Sequence, residues 1–177
     1  LVRADVTAEW VLEHREEGWL GLEQRLGGLA YYRRVVEANP DGTIVLDAPI
    51  RYSLKPRDRA RVHNAAPLLA ESGIEELSIG GAERSGVEGW KEEDLEKEGS
   101  NAWHAHGSSA IRIDRAIDCW VRDVKTFRHP ENLLGAHLLS NGIVTREVRG
   151  LTLLRCHFQR PQYGGAGGNG YMFRLSE

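Results

Sequence analysis

The sequence predicts an all-β protein built as a parallel β-helix, with long loops and a short N-terminal helix. Three observations lead there. From residue 73 onward the chain is a series of short apolar runs separated by irregular loops, with almost no helical periodicity. In "AIDCWVRDVKTF", residues 116–127, Ile117, Cys119 and Val121 fall on one face of an extended strand, and Asp118, Trp120 and Arg122 on the other. Finally, "GIEELSIGG" (73–81), "AIDCWVRDV" (116–124) and "RGLTLLRCHF" (149–158) superimpose when Leu77, Cys119 and Leu151 share one position. Ile79, Val121 and Leu153 then share the next inward position, as strand alternation requires. The spacings are 42 and 32 residues, which suits coils whose strands stack while their loops vary.

The elements follow in order. Residues 7–14, "TAEWVLEH", predict a short helix: Thr7 is a suitable N-cap, Glu9 stands in the first turn, and Trp10 and Val11 form an apolar edge. "YYRRVVEANPDGTIVLDAP" holds two strand-like runs around "NPDG", in which Pro40 fixes φ and Gly42 accepts a positive φ, so a hairpin is expected. The helix and hairpin are assigned to residues 1–72 and the stacked coils to residues 73–177 of a single domain. A second set of runs, "SAIRIDRA" (109–116), "GAHLLSNG" (135–142) and "GYMFRLSE" (170–177), is expected to supply further strands of the same coils. An antiparallel sandwich is the competing fold, but it favours tight two-residue turns, and only "NPDG" clearly offers one. Coils that stop at "YMFRLSE" leave an edge of unpaired backbone groups. An incomplete solenoid is therefore expected, either a fragment or one whose open ends are covered by further coils or another chain.

Composition narrows the function. The chain has 177 residues, 41% of them hydrophobic and 28% charged, with a net charge of −3. No excess of positive charge is available to neutralise phosphates, so nucleic acid is not an expected partner. Apolar runs are far too short for a membrane span, and "LVRADVTAEW" has no signal-peptide core; a signal, if there is one, lies outside this chain. Cys119 and Cys156 each sit in an apolar strand pattern and are expected to be unpaired and buried. In "VEGWKEEDLEKEGSNAWHAHGSS" six acidic residues outnumber two lysines, the pattern of a solvated surface excursion.

Three constellations carry candidate chemistry. "WHAHG" places His104 and His106 two apart, on one side of an extended chain and beside Trp103, as a titratable pair near neutral pH. The alternative is simple loop packing, and no third ligand for a metal is identifiable, so no metal site is assigned. Asp118, Trp120 and Arg122 offer an aromatic ring between an acid and a base. Such a strip can stack on a sugar ring while its neighbours hydrogen-bond hydroxyl groups, or it can be merely the wet side of a sheet. "RPQYGGAGGNGY" has five glycines between Gly164 and Gly170, and Gly165, Gly167 and Gly170 satisfy GxGxxG. A strand-like "YMFRL" follows instead of a helix, which excludes the phosphate-cradling mechanism. The loop is expected to be a conformationally special one with positive φ; the alternative is that its tight turns present Arg160, Gln162 and Asn169 to a sugar.

These segments, "YYRRVVEANPDGTIVLDAPIRYSL", "SSAIRIDRAIDCWVRDVKTF", "HLLSNGIVTREVRGLTLLRCHF" and "RPQYGGAGGNGYMF", resemble the pectin lyase-like right-handed β-helices, and among them a group of uncharacterised bacterial secreted proteins. The resemblance covers most of the chain and implies an extracellular protein whose partner is a polysaccharide, either a glycan lyase or glycoside hydrolase. Calcium enters as a cofactor only by that resemblance; no acidic cluster of the pectate-lyase kind is matched here, and no cofactor is identified from the residues. The catalytic candidates are His104, His106, Asp118 and Arg122, and the sugar-contacting candidates are Trp103, Trp120, Arg160, Gln162 and Asn169. The other reading is a non-catalytic β-helix that binds glycan or serves as an adhesin or structural stalk.

Overall fold

The computed structural model describes residues 1–65, 68–165 and 168–175. The chain divides into two compact units, Leu1–Pro67 and Leu68–Glu177.

The first unit is built on antiparallel pairing. Strand β1 (Val2–Ala4) lies between β2 (Leu29–Tyr31) and β5 (Arg61–Val62), with Val2 opposite both Tyr31 and Val62. The helix α1 (Ala8–Glu13) starts at Thr7, whose Oγ1 accepts the Trp10 N–H at 3.1 Å and thereby satisfies one of the orphan donors of the first turn. Thr7 in turn donates to the buried Asp58 carboxylate at 2.6 Å. The hairpin of β3 (Val35–Ala38) and β4 (Ile44–Leu46) closes through "NPDG", with Asn39 N–H bonded to the Thr43 carbonyl and Gly42 at φ +87°.

The second unit is built on parallel pairing between strands two to six residues long. Strand β11 (Trp120–Arg122) lies between β7 (Gly73–Glu75) and β14 (Thr152–Leu154). Strand β13 (Asn141–Arg146) lies between β9 (Ser109–Asp114) and β15 (Phe173–Arg174). The pairs β6 (Leu69–Ala70) with β10 (Ala116–Ile117), and β8 (Ser78–Ile79) with β12 (Lys125–Thr126), complete it. Ile111, Val121, Val124, Leu138, Ile143 and Phe158 form its buried core.

The fold class is corrected by these pairings. Among the described residues the strands form six separate small sheets of two or three strands, antiparallel in the first unit, and none forms a solenoid. The expected single parallel β-helix, complete or incomplete, is therefore not the architecture of this chain. The physical reason is visible at the strand ends. Glu71, Asp118 and Gly150 at one set of corners, and Glu76, Asp123 and Arg155 at another, take left-handed φ values between +48° and +64°, which ends each strand after two or three residues. The corners at Glu71, Asp118, Glu76 and Asp123 each donate a backbone bond to the neighbouring strand run, as in Asp118 N–H to the Arg149 carbonyl at 2.9 Å and Asp123 N–H to the Leu154 carbonyl at 3.0 Å.

The segment alignment is corrected in part. Val121 stands beside Leu153, as the 32-residue spacing requires, but its other neighbour is Ile74 and not Ile79, which pairs with Thr126. The offset from the first segment is thus 47 residues instead of 42. Lys125 and His157, also 32 apart, meet in a parallel bridge. In the second set, β9 pairs with 141–146 and not with 135–142. Both cysteines are free, Cys119 buried and Cys156 half-buried.

Candidate functional site

Val121 is fully buried, so Trp120 and Arg122, its neighbours in β11, project from the outer face of the sheet β7-β11-β14. Parallel register places Gly73 and Thr152 on either side of Trp120, and Glu75 and Leu154 on either side of Arg122. The half-buried indole leans across Gly73: a Cβ added there would stand 2.1 Å from indole Cε2 and Nε1. The absence of a side chain at 73 is what lets the ring lie against the sheet.

The charges around this ring are already paired. The Arg122 guanidinium pairs with Glu75 and stands 3.7 Å from Asp123. Arg155 holds Asp123 through two bonds, Nε at 2.5 Å and Nη2 at 2.6 Å, the fork geometry that suits a carboxylate. That hydrogen bond is the main cause that keeps the Asp123 carboxyl below its usual range, and the same bond pushes the Arg155 guanidinium up. Beside the indole lies a cavity of about 250 Å³ whose lining includes Trp120, Ser72, Cys119, Arg112 and Asp114. Arg112 bonds Asp114 at 2.8 Å, and Arg146 approaches the same carboxylate at 3.8 Å. The cavity lies below the roughly 300–1,000 Å³ of pockets that enclose small ligands. It accommodates the edge of a ring lying on the surface more readily than a buried substrate.

Asp118 is not part of this face. It occupies the left-handed corner before β11, φ +53°, and its carboxylate lies over Gly150, where a Cβ would meet Oδ1 at 2.2 Å. The alternation that grouped it with Trp120 and Arg122 is broken by that corner.

His104 and His106 are not paired by an extended chain either. Residues Asn101–Ala105 form α2, capped by Ser100, whose Oγ accepts the Trp103 N–H at 3.0 Å. His104 lies within α2 whereas His106 is its C-cap, with ψ 128°, and the two rings have different neighbours. His104 stacks edge-on against the exposed Trp103 with ring centres 4.8 Å apart, whereas His106 Nδ1 lies 3.0 Å from the Asn169 amide nitrogen. "SNAW" carried the capping signal, a serine three residues before Trp103.

The amides of the glycine-rich segment hold loops together. Asn169 is buried, and its oxygen accepts from Gly107 N–H and Ser140 Oγ, both at 3.1 Å. Gln162 binds the Arg84 backbone twice, accepting its N–H and donating to its carbonyl at 2.8 Å each. Arg160 is exposed at a left-handed corner, φ +53°, with its carbonyl accepting from His137 N–H. The GxGxxG arrangement of Gly165, Gly167 and Gly170 lies in part outside the described residues, at Gly167.

The structure thus brings Trp120 and Arg122 together on one face, and leaves His104, His106, Trp103, Asp118, Arg160, Gln162 and Asn169 in other elements. Gly73 and Glu75 on that face, and Arg112, Asp114, Asp123 and Arg155 beside it, are the residues that sequence reasoning did not select. Among the described residues no group of three or more His, Cys, Asp or Glu side chains is placed to hold a metal ion. The carboxylates around Trp120 face guanidinium groups instead, so they do not fit a calcium site. Among the same residues no helix is long and apolar enough to cross a membrane. Compared with family models, curated proteins and solved structures, the chain matches none.

Proposed function

We propose that this is an extracellular, non-catalytic polysaccharide-binding protein whose contact surface is the outer face of β7-β11-β14, centred on Trp120. The observation that carries the reading is the half-buried indole laid against Gly73, beside a cavity whose lining includes Ser72, Arg112 and Asp114. An aromatic face takes the C–H side of a pyranose, and the flanking guanidinium and carboxylate groups bond its hydroxyls. The polysaccharide class and the extracellular setting rest on the sequence resemblance.

Binding is favoured over cleavage by the state of the acids. Glycoside hydrolysis requires two carboxyl groups, one able to hold a proton for the leaving group. Glu75, Asp114 and Asp123 are each already ion-paired with an arginine, and the bond from Arg155 holds the Asp123 carboxyl below its usual range. Gel retardation by a panel of neutral and acidic polysaccharides tests the proposal. At least one member is expected to slow the wild-type chain, Trp120→Ala to weaken that retention several-fold, and no reducing ends or unsaturated products to accumulate. Unchanged retention by Trp120→Ala, or product formation, overturns it.

A further inference from the structure

The segment 127–136 carries a feature that glycan binding does not use. Leu133 and Leu134 stand side by side at its tip with 87% and 74% of their surfaces exposed. Adjacent leucines so exposed are ordinarily found on loose loops, yet this one is pinned from several sides. Asn132, only 2% exposed, donates to the carbonyls of Gly81 at 2.8 Å and Ala136 at 2.7 Å, and accepts the Glu83 N–H at 3.0 Å. Arg128 closes the base through Nε and Nη2, which donate to the Asn132 carbonyl at 2.8 and 2.6 Å.

The bonding of the tip is selective. The Glu83 carboxylate accepts the N–H groups of both Leu133 and Leu134, the latter at 2.8 and 3.1 Å. The Asn132 N–H bonds the His129 carbonyl, and the Glu131 N–H bonds His129 Nδ1. The backbone donors of 131–134 are therefore satisfied within the protein. That condition matters most for chain that leaves water, because an unpaired N–H in hydrocarbon is costly.

The rim is cationic. Arg128 lies at the base, Arg160 Nη1 comes within 3.7 Å of the Cβ position of Gly135, and Lys125 and His157 meet in the adjoining bridge. Against these stand Glu131 and Glu83, the latter engaged by the two N–H groups. Lys125, Arg128 and Arg160 set against Glu83 and Glu131 leave a slight local excess of positive charge in a chain of net charge −3.

We propose that the Leu133–Leu134 tip is a membrane-surface wedge, which inserts its two side chains into the interface of an anionic lipid bilayer while Arg128, Arg160 and Lys125 face the headgroups. A protruding pair of leucines offers no groove for a peptide, and the basic rim complements anionic headgroups.

Co-sedimentation tests this with the full chain and two kinds of vesicle, phosphatidylcholine alone and phosphatidylcholine mixed with phosphatidylglycerol. The wild-type chain is expected to bind the mixed vesicles, to bind phosphatidylcholine alone much more weakly, and to release as salt is raised. Leu133→Ser with Leu134→Ser is expected to weaken binding by about tenfold or more while its thermal unfolding matches wild type, both side chains being exposed. Absence of vesicle binding, or equal binding by the double variant, overturns the proposal. So does concentration-dependent dimerisation that the double variant loses without any vesicle binding, which would make the tip a protein contact.

Discussion

The indole of Trp120 rests on Gly73 in the neighbouring parallel strand, and Phe127 repeats the relationship on Gly80, where an added Cβ would stand 2.7 Å from the ring. Both pairs are 47 residues apart, the register offset between the first and second runs of strands. Glycine in a strand is unfavourable by itself, through backbone entropy and a missing side chain, and an aromatic ring laid over it restores buried area.

Gly73→Ala therefore sets two effects against each other. The methyl relieves the entropy of glycine but collides with the indole. Because the collision is with ring atoms at 2.1 Å, the net result is expected to be destabilising by about 1 kcal/mol. In a Trp120→Ala background the three nearest colliding atoms, all of the indole, are gone, and the same change is expected to stabilise by roughly 0.5–1 kcal/mol. A double-mutant cycle by urea unfolding reads the difference, and additivity of the two substitutions would show that ring and glycine are independent.

Asn132 is the next point of leverage. Its side chain makes three hydrogen bonds to backbone groups and is itself buried. Asn132→Ala removes all three and strands the Gly81 and Ala136 carbonyls, an expected loss of roughly 3 kcal/mol. Hydrogen exchange should locate the damage, with the Leu133 and Leu134 amides losing protection first. A uniform loss over the second unit would instead make Asn132 a general core residue.

How much of this was legible beforehand depends on which physical signal each feature leaves in the chain. Thr7 and "NPDG" act locally, through a cap and a turn, and the helix and hairpin they promise are present. The 32-residue register that pairs Val121 with Leu153 follows from inward apolar positions, which sequence displays. The register to Ile74 did not, because "GIEELSIGG" offers apolar residues at 74, 77 and 79, and periodicity does not choose among them. The corners were hidden for a different reason. Glu71, Asp118 and Asp123 hold left-handed φ values without being glycine; aspartate tolerates that region but occupies it too seldom to announce a break, and strand alternation alone sets Asp118 on the face of Trp120. The site was legible only as Trp120 and Arg122; its ion pairs link residues far apart in sequence, Arg155 with Asp123 and Arg122 with Glu75.

Asp123 gives a pH dependence whose sign follows from its partners. The hydrogen bond from Arg155 lowers its pKa in the folded chain, against about 3.9 when unfolded. A depressed carboxyl contributes stability that is present above the unfolded value and is lost as the pH falls through the folded one. Asp5, lowered chiefly by its bond from Arg61, and Glu13, lowered chiefly by Lys55, act in the same direction in the first unit. Unfolding of wild type is thus expected to become easier below about pH 4. Asp123→Asn should flatten its share of that slope, and an unchanged acid limb would show the pair to be without effect on stability.

Tyr163 supplies the opposite limb. Its ring is buried against Ala102 and Ala105 and lies 5.8 Å from Trp90, and its hydroxyl has no hydrogen-bond partner among the described residues. Burial is the first cause that pushes its pKa up, with the charges of Glu92 and Asp94 adding to it. The folded chain therefore keeps the phenol proton more tightly than the unfolded one. This contribution is present below about pH 10, the unfolded value, and is lost as the pH rises through the higher folded value. Tyr163→Phe deletes an unsatisfied buried oxygen while keeping the ring, so at neutral pH it is expected to be neutral or stabilising by up to about 1 kcal/mol. The variant should also unfold less steeply with alkali than wild type. Both follow from one geometric fact, a buried hydroxyl with no hydrogen-bond partner among the described residues; a destabilisation well beyond 1 kcal/mol would mean that the oxygen has a partner in the folded chain.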